Sequence, residues 1–283
     1  MSVRDFAALA KPRVTSLVLV TTAGGMWLSP GALPVWRAGL VLLGTALAVA
    51  SANTLNCWLE RDVDARMART RNRPLPAGRL SPRAALVFGL VLGLLSVPLL
   101  AASANGLTAL LGAGAIVSYV GIYTPMKLRS PKALLVGAVP GALPPLLGWT
   151  AVSGRLDPAG LVLFAIVFLW QLPHFIAIAI ARKEEYAAAG IRVGPVVRGD
   201  RLSKIHATLW TAALVPVTML LVPLGVAGTG YLVVAAILGA TFLAWTIAGL
   251  RTPRHRAWAT GLFRFSLAYL TLLFVALGVF AVR

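Results

Sequence analysis

Long hydrophobic runs fill the chain and are separated by short polar segments. A helix needs roughly 20 apolar residues to cross the hydrocarbon core of a bilayer, and the runs approach or reach that length. They predict nine membrane-spanning helices, at about residues 14–30, 37–57, 84–104, 107–124, 133–152, 159–181, 207–226, 229–250 and 262–282. The expected fold is therefore all-α, with nine transmembrane helices bundled around a central cavity in one domain over residues 1–283.

The composition is typical of a polytopic membrane protein. Hydrophobic residues make up 59% of the chain and charged residues only 12%, whereas a soluble domain carries about 25% charged residues. In a soluble protein a net charge of +18 would suggest a nucleic-acid partner, but in a membrane protein basic residues mark the cytoplasmic connections. We therefore expect a lipid bilayer around this chain and no nucleic acid. The single cysteine, Cys57, excludes an internal disulfide.

The positions of the basic residues predict the orientation. Alternate segments between the predicted spans carry 23 of the 26 Lys and Arg residues. This places the N-terminus in the cytoplasm and, with nine spans, the C-terminus outside. Six of the eight acidic residues fall in the two longest cytoplasmic connections: Glu60, Asp62, Asp64, Glu184, Glu185 and Asp200. Orientation alone does not explain these acids, because carboxylates contribute little to it.

The connection after the second span is the densest polar segment of the chain. If the helix continues to residue 64 at about 100° per residue, four oxygen-bearing side chains share one face. They are Asn53, Asn56, Glu60 and Asp64. Asp62 points away from that face, and we expect it to pair with Arg66. Carboxylate and amide oxygens suit Mg²⁺, which completes its coordination with water and phosphate oxygens.

Three arginines follow these acids, at Arg69, Arg71 and Arg73. Guanidinium groups bind phosphate oxygens in bidentate pairs, so metal-binding acids followed by arginines predict a diphosphate site. The alternative is a solvated helix end with local ion pairs. Asn53 and Asn56 lie inside the apolar run and favour the site, since polar side chains within a span are costly and usually functional.

The same segment resembles the first aspartate-rich motif of the UbiA superfamily of intramembrane prenyltransferases, most closely its protoheme IX farnesyltransferase branch. The resemblance rests on Asn56, Glu60, Arg61, Asp62, Asp64, Met67, Arg69, Thr70, Arg73, Pro74, Leu75 and Gly78. Further segments similar to the family follow over nearly the whole chain: Lys11–Arg13, Tyr123–Lys127, Gly141–Trp149, Trp170–Phe175, Glu185–Ile191 and Phe265–Leu270. Some positions differ, because glutamates 60, 184 and 185 stand where the family usually has aspartate.

The resemblance implies a Mg²⁺-dependent enzyme. It would transfer the farnesyl group of farnesyl diphosphate to the 2-vinyl group of protoheme IX (heme b), with addition of water, to give heme O and diphosphate. The implied catalytic residues are Asn56, Glu60, Asp64 and Glu185. The implied metal ligands are Asn56, Glu60, Asp64, Glu184 and Glu185, the implied diphosphate ligands are Arg69, Arg73 and Lys127, and the expected heme contacts are His174 and Gln171.

Several of these residues have a plainer interpretation. Lys127 could simply extend its ammonium group from the end of a span to the membrane surface. The glutamates at 184 and 185 could form a helix-end charge pair with Arg182 or Lys183. His174 could be a hydrogen-bonded interior histidine rather than a heme ligand.

Three other functions fit parts of the sequence. A UbiA-type enzyme could prenylate an aromatic quinone precursor, but the segment Trp170–Phe175 favours the heme branch. A nonenzymatic heme-binding or assembly protein would leave the two acidic clusters unexplained, and a transporter would favour acids at the span centres, which the sequence lacks. The resemblance implies a bacterial cytoplasmic (inner) membrane location, with the active site open to the cytoplasm. It also makes contact with heme A synthase or terminal oxidase assembly an expectation.

Overall fold

The computed structural model describes residues 2–282, and the described chain is built from helices joined by short connections. The helices are α1 (Val3–Ala10), α2 (Pro12–Leu28), α3 (Val35–Leu59), α4 (Arg61–Asp64), α5 (Pro82–Ser103), α6 (Gly106–Val117), α7 (Thr124–Met126), α8 (Ala133–Ser153), α9 (Pro158–Ala181), α10 (Lys183–Ala188), α11 (Gly194–Arg198), α12 (Asp200–Met219), α13 (Thr229–Arg251) and α14 (His255–Val279). A π-helical segment, Ser118–Tyr123, joins α6 to α7. The prediction of an all-α chain is confirmed.

Seven helical segments within residues 2–282 are long and apolar enough to cross a membrane. They are α3, α5, the continuous segment Gly106–Met126, α8, α9, α13 and α14. The helix α2 has 17 residues, about 26 Å at 1.5 Å per residue, which is less than the hydrocarbon core of about 30 Å. The helix α12 carries Asp200, Arg201 and Lys204 in its first turns. Nine spans and the orientation of the termini therefore stay predictions.

Two predicted spans are displaced along the chain. The span expected at about 207–226 is the helix Asp200–Met219, because the apolar residues that follow form turns, which Gly225 helps to close with φ +72°. The last helix begins at His255 rather than near 262. Trp258 explains this earlier start, since its indole nitrogen donates to the Trp245 carbonyl oxygen at 3.0 Å and its ring lies against Gly249. Arg264 therefore lies well inside a helix.

The helices pack closely around α8 and α9. The helix α8 contacts α2, α6 and α9, and α9 also contacts α12 and α14. Between α2 and α8 the two backbones touch at glycines: a Cβ atom at Gly148 would overlap the Thr22 carbonyl oxygen, and one at Gly25 would overlap the Pro145 carbonyl oxygen. Small residues permit such close approach between membrane helices. This packing brings the first turn of α2 and the last turns of α3 and α9 to the same end of the bundle.

Candidate active site

Two cavities open at opposite ends of the bundle. The larger, of about 1040 Å³, is lined by the last turn of α2, the start of α9 and neighbouring apolar residues. Its charged residues, Arg155 and Asp157, lie 3.5 Å from each other. The smaller, of about 570 Å³, lies at the other end and is lined by the residues of the first acidic segment. Because reactive polar side chains converge only on the smaller of these two cavities, it is the candidate active site.

The walls of this cavity carry an excess of positive charge. Six cationic side chains line it: Lys11, Arg69, Arg73, Lys127, Arg182 and Arg264. Two carboxylates, Glu60 and Asp64, lie among them. A cavity with four more positive than negative groups and largely apolar walls concentrates an anionic ligand.

The first wall is the end of α3 and the turn that follows it. The regular helix stops at Leu59, and Glu60 has φ −92° and ψ 4°. Helical spacing nevertheless continues, because the Glu60 amide donates to the Asn56 carbonyl oxygen at 2.9 Å and the Asp64 amide donates to the Glu60 carbonyl oxygen at 2.7 Å. Asn56 and Asp64 are buried and, with Glu60, line the cavity. The structure thus brings these three predicted residues together.

Glu60 is held by two neighbours. Lys127 Nζ lies 2.8 Å from Glu60 Oε1, and Asn56 Nδ2 donates to Glu60 Oε2 at 2.9 Å. The Lys127 ammonium also lies 4.5 Å from the centre of the Tyr123 ring. Burial works to lower the pKa of Lys127, but Tyr123 and the Glu60 carboxylate raise it above its ordinary value. Lys127 therefore faces the cavity as a cation, rather than extending to the membrane surface.

Asp64 has an equally close partner. Arg73 donates to Asp64 Oδ2 at 2.6 Å, and the Thr70 hydroxyl donates to the Asp64 carbonyl oxygen at 2.8 Å. Burial works against the charge of Arg73, yet the Asp64 carboxylate raises the pKa of this arginine. These contacts fold the arginine-rich segment back over the end of α3, so that Arg69 and Arg73 both line the cavity.

Lys11 is a site residue that the charge pattern did not single out. It separates α1 from α2, with φ +51°, and its Nζ donates to Asn56 Oδ1 at 3.1 Å. Burial lowers the pKa of Lys11. The available signal was its place in the Lys11–Arg13 motif. Asn53 departs from the predicted common face, because its Nδ2 donates to the Ala10 carbonyl oxygen at 3.3 Å and it does not line the cavity.

The π-helical segment supplies two aromatic rings. Tyr119 and Tyr123 line the cavity, with ring centres 5.1 Å apart. Thr124 links this segment to α3, since its hydroxyl donates to the Tyr119 carbonyl oxygen at 2.8 Å and accepts from Asn56 Nδ2 at 3.2 Å. Single π turns are frequent at functional sites. Sequence periodicity did not reveal this π-helical segment, because the wider turn does not interrupt the apolar run.

The second acidic cluster lies apart from the first. Glu184 is exposed, and neither Glu184 nor Glu185 lines the cavity. Arg182 lines it instead and donates to Glu185 Oε2 at 3.2 Å, while Glu185 Oε1 is buried without a hydrogen-bond partner among the described residues. Over residues 2–282, no three His, Cys, Asp or Glu side chains are close enough together to hold a metal ion. Metal binding by this cluster stays a prediction.

Asp62 points away from the cavity, as its helical angle predicts. Its side chain is 78% exposed and lies 3.8 Å from Arg61. The predicted pairing with Arg66 is not the one the structure shows, because the helical turn ends at residue 64.

His174 and Gln171 lie in the helix packing next to the cavity, and neither lines it. Gln171 Nε2 donates to the Ala138 and Val167 carbonyl oxygens, at 3.3 and 3.1 Å. His174 Nδ1 lies 2.7 Å from Ser266 Oγ. His174 is thus a hydrogen-bonded interior histidine, which is the plainer interpretation of this residue. Contact of either residue with an acceptor stays a prediction.

Comparison with known proteins identifies the family. Residues 18–281 match the model of the UbiA prenyltransferase family. Two relatives named protoheme IX farnesyltransferase, from Anaeromyxobacter sp. (strain Fw109-5) and Myxococcus xanthus (strain DK1622), are each 54% identical over 274 residues. These alignments cover 97% of this chain and 92% and 93% of the relatives.

Two solved structures have the same fold. One, from work on digeranylgeranylglyceryl phosphate synthase, aligns with a TM-score of 0.84 at 18% identity and covers 98% of this chain and 97% of its own. The other, a UbiA homologue from Archaeoglobus fulgidus bound to GPP and Mg²⁺, aligns with a TM-score of 0.66 at 19% identity, over 96% of this chain and 99% of its own. At such identities the likeness shows the fold alone. From the family match and the two relatives, this chain belongs to the UbiA prenyltransferase family, as its sequence motifs predict.

Proposed function

We propose that this chain transfers the farnesyl group of farnesyl diphosphate to the 2-vinyl group of protoheme IX, with addition of water, and so forms heme O and diphosphate. The structural observation that carries the proposal is the cavity in which Glu60 and Asp64 meet four cations, Lys11, Arg69, Arg73 and Lys127. The relatives that are 54% identical bear the name of this activity.

The proposed reaction begins at the diphosphate. The C1–O bond of farnesyl diphosphate breaks, and its electron pair leaves with the diphosphate. The vinyl π electrons form a carbon–carbon bond to farnesyl C1, and water adds to the resulting cation with loss of a proton. Negative charge concentrates on the leaving diphosphate, so cations that bind it more tightly as it departs accelerate the reaction. We assign this role to Lys11, Arg69, Arg73 and Lys127, which line the cavity together.

The donor set of the first wall fits a magnesium ion. Glu60 and Asp64 present carboxylate oxygens to the cavity, and Asn56 adds an amide oxygen. Mg²⁺ typically takes one or two carboxylates and fills its other positions with water and phosphate oxygens. Glu60 and Asp64 therefore suffice to hold one Mg²⁺ ion when a diphosphate supplies further oxygen ligands. Mg²⁺ held there would neutralise charge on the leaving diphosphate. The ion pairs to Lys127 and Arg73 hold the two carboxylates in place at the cavity wall.

The rest of the lining excludes water from the reacting carbon. Met67, Leu134, Ile178 and Phe263 form apolar wall beside the polar residues. An allylic cation reacts with any nearby water, so a dry wall favours transfer over hydrolysis. Water must reach the porphyrin cation only after the carbon–carbon bond has formed.

The hydrogen bond of His174 is compatible with a role of its imidazole in binding the acceptor. Ser266 Oγ donates to the Phe263 carbonyl oxygen at 2.7 Å, and we therefore propose that His174 Nδ1 is the donor in its contact with Ser266. The Nε2 atom then keeps its lone pair, which is the form of imidazole that binds heme iron. The adjacent rings of Phe175 and Phe263 line the cavity. We propose that His174 approaches the acceptor in this form, and that Gln171 positions α9 against α8.

We further propose that nine helices cross the bilayer of the bacterial inner membrane and that the active-site cavity opens to the cytoplasm. The cations of this cavity come from the N-terminal segment, the two long connections, the end of α7 and the first half of α14. All of these are segments that the basic residues assign to the cytoplasmic side. Residues of three connections assigned to the outside, at 29–35, 152–158 and 224–226, line the larger cavity instead.

Product analysis with different acceptors tests the proposed activity. The purified protein would be incubated with farnesyl diphosphate and Mg²⁺, together with protoheme IX, with an aromatic quinone precursor, or with no acceptor. We expect a porphyrin product heavier by one farnesyl and one hydroxyl group, and no prenylated aromatic ring. A prenylated aromatic product would replace the proposal by its enzymatic rival. Heme binding without any product would indicate a heme-binding or assembly protein.

A further inference from the structure

Arg264 brings a positive charge to the cavity from the first half of α14. Its side chain is exposed and, within residues 2–282, has no hydrogen bond or ion pair. Its neighbour Arg182 differs, because a carboxylate oxygen of Glu185 lies 3.2 Å from it. Arg264 is therefore a free cation that faces a ligand cavity.

Arg264 belongs to a different wall from the acidic residues. On α14, Thr260, Phe263 and Arg264 are spaced i, i+3 and i+4, so they share one helical face, and all three line the cavity. The helix α14 packs against α9, which adds Phe175 and Ile178 to the same lining. This second wall is mainly apolar and aromatic, and it carries no carboxylate in the described cavity lining.

The diphosphate does not require Arg264. The first wall and the segments beside it already provide four cations next to the carboxylates that suit Mg²⁺: Lys11, Arg69, Arg73 and Lys127. An unpaired arginine beside two aromatic rings instead matches a ligand that is planar and apolar but carries an anionic group at its edge.

We propose that Arg264 binds a carboxylate of the acceptor through its guanidinium fork, while the flat body of the acceptor lies against Phe175 and Phe263. This inference rests on the proposed function, in which the acceptor is protoheme IX, a planar macrocycle with two propionate groups. The propionates and the vinyl groups occupy opposite edges of that macrocycle. A propionate held at Arg264 therefore turns the vinyl edge toward the diphosphate wall.

The geometry of arginine is part of the inference. A guanidinium group makes two parallel hydrogen bonds to a carboxylate, whereas a lysine ammonium acts as a point charge. Arg264→Gln removes both charge and fork, and Arg264→Lys keeps only the charge. Arg256→Gln is the matched control, because Arg256 is exposed on the same helix two turns earlier and does not line the cavity.

The test compares protoheme IX with its dimethyl ester, which has no propionate charge. A hydrogen bond between charged groups contributes about 1.5–3 kcal/mol, so Arg264→Gln is expected to lower kcat/KM for protoheme IX by about 10- to 100-fold. The wild-type protein is expected to lose about the same factor on going to the dimethyl ester. In the Arg264→Gln variant, replacing protoheme IX by the dimethyl ester should lower kcat/KM little further. The kcat/KM of Arg264→Lys for protoheme IX should lie between the values of the wild type and of Arg264→Gln. The kcat/KM of Arg256→Gln should match the wild type.

The KM for farnesyl diphosphate separates this role from the alternatives. It should change less than twofold in Arg264→Gln if the arginine serves the acceptor. A rise in that KM would assign Arg264 to the diphosphate and overturn the inference. Equal losses on protoheme IX and on its ester would do the same, because they would show a general effect on folding or packing.

Heme titration in the absence of farnesyl diphosphate keeps the inference separate from the proposed activity. The Soret band reports binding of protoheme IX or its ester without any turnover. Preferential binding of the free acid that disappears in Arg264→Gln supports the carboxylate contact, even if no prenylated product forms and the proposed function fails. Equal binding of acid and ester by the wild type overturns the contact, even if heme O is made.

Discussion

Replacing Lys127 with methionine keeps most of the side-chain volume but removes the ammonium group that lies 2.8 Å from Glu60 Oε1. The two side chains are only 20% and 16% exposed. At an effective dielectric constant of about 20, two unit charges at this distance attract each other by about 6 kcal/mol. Desolvation of both charges offsets much of that attraction. Removal of one partner leaves the largely buried Glu60 carboxylate without its cation, which costs about 3–5 kcal/mol of stability.

Activity and stability should respond differently to a second substitution. If Lys127 stabilises the departing diphosphate, Lys127→Met lowers kcat by about 100- to 1000-fold. Adding Glu60→Gln removes the uncompensated carboxylate, so the double variant should regain most of the lost stability. It should not regain activity, because the cation that receives the diphosphate and the proposed metal ligand Glu60 are then both missing.

The measurements are thermal unfolding in detergent and single-turnover farnesyl transfer for both single variants and the double variant. Lys132→Met serves as the control, since Lys132 is exposed and lies outside the cavity lining. Recovery of activity together with stability in the double variant would refute the reasoning, because neither Lys127 nor Glu60 would then be needed for farnesyl transfer.

Three further predictions concern Lys11, the contact between α2 and α8, and the proposed metal ion. Lys11→Met should raise the KM for farnesyl diphosphate by about tenfold, whereas Arg13→Met, at an exposed position outside the cavity lining, should leave it unchanged in steady-state assays. Gly148→Ala should lower stability by about 1–3 kcal/mol in thermal unfolding, because the added methyl group meets the α2 backbone. Gly114→Ala is the control and should not lower stability, because a Cβ atom there meets no atom within 4 Å. Removal of divalent metal by a chelator should abolish farnesyl transfer but leave heme binding measured at the Soret band intact; full transfer without metal would contradict the assignment of Glu60 and Asp64 as metal ligands.

The first wall was predictable because its chemistry is local in sequence. Asn56, Glu60 and Asp64 are four residues apart, so helical spacing alone places them on one face, and Arg69 and Arg73 follow closely. The structure adds what local spacing does not contain: Arg73 turns back to Asp64, and Lys127 arrives from a distant segment to meet Glu60.

The second wall could not be read from the sequence. Hydropathy starts the last span near residue 262, so in the sequence Arg264 is only a basic residue at the cytoplasmic end of that span. The burial of Trp258 and its bond to the Trp245 carbonyl oxygen extend the helix by two turns and place Arg264 at the cavity. Sequence spacing also puts Asn53 on the acidic face, whereas tertiary contact with the Ala10 carbonyl oxygen takes it away.

The span boundaries show the same limit. Hydropathy locates α8 and α9 to within about a residue, because apolar runs and helices coincide there. It misplaces α12, since the helix begins with charged residues at one end and apolar turn residues follow it at the other. Membrane embedding depends on average hydropathy, whereas helix ends depend on particular contacts and on glycines such as Gly225.

The central claim is that the Glu60–Asp64 face carries the chemistry, and two neighbouring aspartates test it most directly. Asp64 is buried at the cavity and bound to Arg73, whereas Asp62 is 78% exposed and faces away. Single-turnover farnesyl transfer to protoheme IX would be measured for Asp64→Asn and Asp62→Asn, at saturating substrates and with folding checked by thermal unfolding. We predict that Asp64→Asn reduces the rate by at least about 1000-fold and that Asp62→Asn stays within twofold of wild type. A folded Asp64→Asn variant with a near-normal rate would contradict the account.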